Sequence, residues 1–149
     1  NGIKVNILRV ANPYGERQSF NRSQGAVATF IYNAIQGKNI QIWGDGNVVR
    51  DYIYISDVSE AIVSAVAYSG SKSIFNISSS VGVSLNELVE KIEYVLNKKI
   101  TINFKKARSI DVPNCVLDNT LARNEFGWVP AVKINDGLQL TSKWIKRNL

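Results

Sequence analysis

Three stretches of the chain place cations, flat rings and backbone-permissive residues close together. In the first, Trp43 beside the turn Gly44-Asp45-Gly46 offers a π-face on which another ring can stack. Arg50 follows with a planar fork of N–H donors suited to phosphate oxygens. The same residues also suit a hairpin with Asp45-Gly46 as its turn, Trp43 in the core and Arg50 paired to a surface acid. The second stretch is Arg9-Val10-Ala11-Asn12-Pro13-Tyr14-Gly15. Open α/β sheets bind ligands at the carboxyl ends of their strands, where Asn12 falls, although Asn-Pro is also a common turn pair. In the third, Arg108 and Asp111 flank Ser109-Ile110, followed by Val112-Pro113. They could hold a phosphate and a sugar diol, or pair as surface ions. Tyr68…Lys72 and Tyr94…Lys98 have the Tyr-x-x-x-Lys spacing that stacks an ammonium beside a phenol on a helix. Gly70 interrupts the first and both fall at helix ends, so neither is read as catalytic.

Hydrophobic periodicity supplies the elements that must position these groups. Ile3 to Val10 reads as a strand with Ile3, Val5 and Ile7 on one face, broken by Asn12-Pro13-Tyr14-Gly15 and a polar loop to Gln24. Ala26 to Ile35 recurs at helical spacing and Gly37 closes it. Strands are predicted over Asn39 to Trp43, Asp51 to Ile55, Ser73 to Ile77 and Ile100 to Phe104. Asp57 with Glu60, and Ser84 with Glu87, read as capping boxes opening two helices. The first is expected to bury Val58, Ala61, Ile62, Ala65 and Val66; the second Leu85, Leu88, Val89, Ile92 and Val95. Asp118 begins a short helix to Phe126, and a last helix over roughly 135–147 buries Leu138, Thr141, Trp144 and Ile145. The class is mixed α/β with no internal repeat, linker or domain boundary across 1–149.

Composition narrows the chemistry. With 45% hydrophobic residues, the 149-residue chain can build a core. Eighteen Lys/Arg against twelve Asp/Glu give a net charge of +6, which suits an anionic partner: nucleic acid, an acidic membrane or a phosphorylated small molecule. A nucleic-acid-binding domain is not expected, since Lys98-Lys99 and Lys105-Lys106 are the only adjacent lysine pairs and no such motif occurs. Zero histidines remove the usual imidazole base and the commonest zinc ligand, so no metal site is expected. A single Cys115 excludes an internal disulfide and fits a cytoplasmic protein. No apolar run reaches membrane-spanning length, so no membrane partner is expected. Methionine is absent even at position 1, and strand-like residues begin at once; a start within a domain is the expectation.

Taken in order, LRVANPYG, IWGDGNVVRDYIYISDVSEAI, RSIDVP and LARNEFGWVP resemble the extended short-chain dehydrogenase/reductases that act on nucleotide sugars, above all the UDP-glucose 4-epimerases. The resemblance implies an α/β fold: a substrate-binding domain plus the last strands of a Rossmann sheet, as the C-terminal portion of a longer enzyme. It implies NAD, bound mainly by an upstream half, with the Val10 backbone close to it. Asn12 would contact the sugar diphosphate, Trp43 pack on uracil, and Arg50 and Arg108 grip the diphosphate. Tyr52 would lie beside the nucleotide and Asp111 accept from ribose hydroxyls. The implied reaction inverts C4 of a UDP-hexose by reversible hydride transfer, in a homodimer; related dehydratases, decarboxylases and reductases use similar loops. In the family the Gly-rich cofactor loop and catalytic Tyr-x-x-x-Lys precede the LRVAN segment, so no catalytic residue is expected within 1–149, which taken alone would be inactive. Two departures bear on specificity: Ala26 where an asparagine is usual, and Ile110 where glycine is common.

Overall fold

The protein is described by a computed structural model covering residues 4–19, 25–108 and 111–149; Ile3, the end of the polar loop and Ile110 lie outside them. The chain runs β1 (Ile7–Val10), β2 (Asn12–Tyr14), α1 (Ala26–Ile35), β3 (Ile40–Trp43), β4 (Val49–Tyr54), α2 (Ile55–Ala67), β5 (Ile74–Ile77), β6 (Gly82–Ser84), α3 (Leu85–Leu96), β7 (Ile102–Lys105), β8 (Asn114–Cys115), α4 (Thr120–Phe126) and α5 (Ile134–Arg147). The α/β class is as expected, and four of its strand pairings, β1–β5, β2–β4, β3–β7 and β4–β8, are parallel. β4 is the hub of the central sheet, pairing with β2, β6 and β8.

The Asn12-Pro13-Tyr14 segment, expected to break the sheet, is itself a strand, aligned with Tyr52-Ile53-Tyr54. Proline lacks the N–H of a ladder donor, which confines it to edges, and β2 is the edge strand here. β6 and β8 were not expected either; at three and two residues they carry too little pattern to read. The strand predicted through Ile3, Val5 and Ile7 shortens to β1, and Val5 and Ile7 are exposed.

The Ser84–Glu87 capping box is present: the Ser84 hydroxyl accepts from the Glu87 N–H at 3.1 Å, and the Glu87 carboxylate accepts from the Ser84 N–H at 2.7 Å. The resulting helix buries Leu88, Val89 and Ile92, each removing roughly 1.5–3 kcal/mol of apolar exposure. The second expected box is absent. α2 starts at Ile55, straight out of β4, and Asp57 lies in its first turn, 1% exposed. Its carboxylate accepts from the Val132 N–H at 3.1 Å and its carbonyl from the Trp128 indole at 3.1 Å. The side chain is thus drawn to the segment before α5 instead of turning back on its own helix. Only part of the stripe predicted on α2 is buried: Val58 and Ala61 and Ala65 pack inward, while Ile62 and Val66 face outward.

Two apolar clusters result. The larger joins α1, α3 and α5 through Ile31, Leu88, Ile92, Leu138 and Ile145. The smaller lies under β1, β5 and α4, around Phe75, Ile77, Ala122 and Trp128. The tyrosine rings of Tyr14, Tyr52 and Tyr54 stack edge to face from β2 and β4 above α5. Gly137 of α5 is required there, because a Cβ would collide with the Tyr14 hydroxyl.

Candidate functional site

A cavity of about 670 Å³ opens where β2, α1, β3 and β4 converge on the segment after β7. Strand alternation aims its side chains. In β3, Ile40 and Ile42 are buried and hold the strand against the core, so Gln41 and Trp43 both face the cavity. The Trp43 ring is 41% exposed, with the Arg108 guanidinium 4.8 Å from its centroid. This cation–π contact is framed by the backbone: Gly44 N–H donates to the Lys105 carbonyl at 2.9 Å, fixing the ends of β3 and β7 together. Arg108 Nε also lies 3.4 Å from Asp111 Oδ2, so the ion pair that the spacing allowed does form.

Arg50 enters from β4. Its Nη1 donates to the Val49 and Val112 carbonyls at 2.8 and 2.6 Å, and no carboxylate pairs with it among the described residues. Arg50 lines the cavity. The hairpin alternative therefore fails on each count: β3 pairs with β7 and not β4, Trp43 is outside the core, and Arg50 has no acid. Tyr52 lines the same cavity; burial pushes its hydroxyl up to about 12, against a weaker opposing pull from Arg50, so the phenol stays neutral and serves as a hydrogen-bonding group. Asn12 donates through Nδ2 to the Asp51 carbonyl at 2.8 Å, which orients its amide at the rim. Asn12, Trp43, Arg50, Tyr52, Arg108 and Asp111 are thus brought to one cavity. Val10 is not in it: it ends β1, in register with Ile77.

Some of the framework was invisible in sequence. Asp51, between Arg50 and Tyr52, is fully buried and accepts from Ser79 N–H, Ser79 Oγ, Ser80 N–H and Leu117 N–H at 2.7–3.3 Å. It ties two loops to the strand that carries Arg50. Thr29, Asn33, Asn39 and Gln41 also line the cavity. The odd-numbered alternation of Asn39, Gln41 and Trp43 about two isoleucines was the signal that would have found the last two. The Tyr-x-x-x-Lys matches remain outside: Tyr68 donates to Glu125, an interaction that raises its pKa, the opposite of what a phenolate base needs, and Tyr94 is largely exposed. No cluster of acids and cysteine suits a metal among the described residues.

The chain has no Gly-rich strand–turn–helix to aim a row of N–H groups at a pyrophosphate, and the Ala11 N–H beside Val10 is taken by the Ile77 carbonyl at 3.0 Å. These residues do not by themselves build a site for a dinucleotide.

The model of the NAD dependent epimerase/dehydratase family matches residues 1–78. A dTDP-4-dehydro-6-deoxyglucose reductase of Escherichia coli is 38% identical over 98% of this chain and 46% of its own length. A UDP-glucose 4-epimerase of Thermotoga maritima, solved with UDP-glucose, superposes with a TM-score of 0.94 at 34% identity, covering 98% of this chain and 47% of that one. A mutant UDP-glucuronic acid 4-epimerase from Bacillus cereus, solved with a UDP-4-deoxy-4-fluoro-glucuronic acid and NAD, gives 0.91 at 27% identity, covering 99% and 46%. The chain spans about half the length of the relatives it matches.

Proposed function

We propose, from the premise that this chain belongs to the NAD dependent epimerase/dehydratase family, that it forms the nucleotide-sugar-holding part of a UDP-glucose 4-epimerase-like enzyme that uses NAD to invert C4 of a UDP-hexose. One observation carries the reading: Arg50 from β4 and Arg108 from the segment after β7 reach a single cavity that also holds Trp43 and Asp111. Two guanidinium groups match two phosphates, with the planar fork that favours bidentate contact. Trp43 supplies a stacking face, Asp111 accepts from a diol, and Tyr52 donates or accepts beside the nucleotide. Asn12, at the far rim, suits the sugar side. This chain's residues bind and orient; proton and hydride chemistry are assigned to groups outside it, with the Val10 backbone next to the cofactor.

The test is calorimetric titration of the full-length protein with UDP-glucose, backed by indole fluorescence. Saturable binding that Arg50→Ala and Arg108→Ala each weaken at least tenfold supports the reading, as does loss of the fluorescence response in Trp43→Phe. Absence of saturable UDP-glucose binding overturns it. A second reading, reduction of a dTDP-4-keto sugar, is favoured by the 38% identity to the Escherichia coli reductase. Turnover of UDP-glucose to UDP-galactose by the full-length protein selects the first; consumption of a dTDP-4-keto sugar with NADH or NADPH selects the second.

A further inference from the structure

The two arginines of the cavity are held in different ways. Arg50 is fixed by backbone: its Nη1 donates to the Val49 and Val112 carbonyls, contacts that a ligand need not break. Arg108 is fixed by side chains. Its guanidinium carbon stands 4.8 Å from the centroid of the Trp43 ring, and its Nε lies 3.4 Å from Asp111 Oδ2. The backbone keeps these groups together. The Gly44 N–H, next to Trp43, donates to the Lys105 carbonyl at 2.9 Å, so Arg108 follows closely on a point tied to β3. The Asp111 N–H donates to the Arg108 carbonyl at 3.3 Å, which keeps the carboxylate near the guanidinium. Trp43, Arg108 and Asp111 thus form a closed set: a flat face, a cation and an anion, each engaged by another. A guanidinium this close to a ring centroid covers that face, and two planar groups cannot both stack on it.

We infer that Arg108 is a latch on the nucleotide cavity: it covers the Trp43 face and is drawn off toward phosphate as a nucleotide enters. The inference rests on the UDP-sugar reading and concerns how that site admits its ligand. A base stacking on Trp43 displaces the guanidinium, the freed fork turns to the diphosphate, and Asp111 is released to the ribose hydroxyls. Base and diphosphate therefore assist each other, because the one contact that each must break is shared. The corollary is unusual for residues that bind. Trp43 opposes a ligand that has phosphates and no ring, and Arg108 opposes a ligand that has a ring and no phosphate.

The test uses the full-length protein, with dissociation constants of inorganic pyrophosphate from calorimetry and of uridine from ligand-observed NMR. An exposed cation–π contact corresponds to roughly two- to fivefold in an equilibrium constant. Trp43→Leu removes the ring without changing charge and is expected to tighten pyrophosphate by about that factor, although it weakens UDP. Arg108→Ala uncovers the ring and is expected to tighten uridine to a similar extent, although it too weakens UDP. Pyrophosphate has nothing to stack, yet in the wild type it is expected to shift the indole emission, a response that Trp43→Leu loses. A constant that stays unchanged or weakens in either variant overturns the inference, as does a wild-type emission unmoved by pyrophosphate. A base using the other face of the ring leaves both constants where they were; an arginine that sandwiches the base against Trp43 makes Arg108→Ala weaken uridine. Each of these results leaves the UDP-sugar reading standing, provided the wild type binds UDP. A wild type that binds neither UDP nor pyrophosphate removes that reading, and the latch with it.

Discussion

Asp51→Ala is the substitution whose effect follows most directly from the structure. The carboxylate is fully buried and accepts four hydrogen bonds: Ser79 N–H at 2.9 Å, Ser79 Oγ at 2.7 Å, Ser80 N–H at 3.1 Å and Leu117 N–H at 3.3 Å. Removing it strands three backbone donors, each at about 1–3 kcal/mol when buried. Ser80 is exposed and Leu117 half-buried, so water reaches part of the gap, and the Ser79 hydroxyl keeps the Val81 carbonyl at 3.3 Å. The low end of the range then applies, about 1 kcal/mol for each of the three donors, for a loss of about 3 kcal/mol, at the top of the usual range for single substitutions. Asp51→Asn keeps one acceptor and turns an NH2 toward the remaining donors; about 2 kcal/mol is expected. Both are read from urea unfolding at constant slope, with a lower midpoint. Because Asp51 anchors the loops beside Arg50, UDP affinity is expected to fall with stability. A loss under 1 kcal/mol for Asp51→Ala, with unchanged slope, refutes the reasoning.

Three further outcomes follow. Ser84→Ala removes the cap of α3 and is expected to destabilise by about 1 kcal/mol in the same urea assay, with no change in UDP binding. Gly137→Ala drives a methyl group into the Tyr14 hydroxyl; overpacking of about 2 kcal/mol outweighs the helix-propensity gain and appears as a lower melting temperature. Tyr52 keeps its proton to about 12 in the folded protein, whereas the unfolded chain releases it near 10. Its contribution to stability is therefore complete below pH 10 and is lost as pH rises to about 12; Tyr52→Phe is expected to flatten that part of the stability–pH curve.

Long apolar periodicities made the helices legible: α1, α3 and α5 fall close to their predicted spans, and the Ser84 box was plain because serine and glutamate sit three apart before an apolar run. β8 was illegible, since two residues hold no period and its pairing is fixed from afar by β4. Asp57 misled because cap spacing is a local signal, while its carboxylate answers to Val132, 75 residues away. The same holds at the site. Arg50, Trp43 and Arg108 stood out by residue type, but Asp51 looked like one more surface acid until the Ser79 and Leu117 amides were seen to converge on it.

The two walls of the cavity belong to different sheets. Trp43 rides on the β3–β7 pair and Arg50 and Tyr52 on the β4 sheet, and no ladder hydrogen bond joins them. Past Arg108 the chain is tied to β4, where Arg50 donates to the Val112 carbonyl at 2.6 Å and Asn114 pairs with Val49. A molecule gripped from both sides acts as a crossbeam between the sheets, so amide exchange slowed in β3 and β4 together is the mechanical signature of an occupied site.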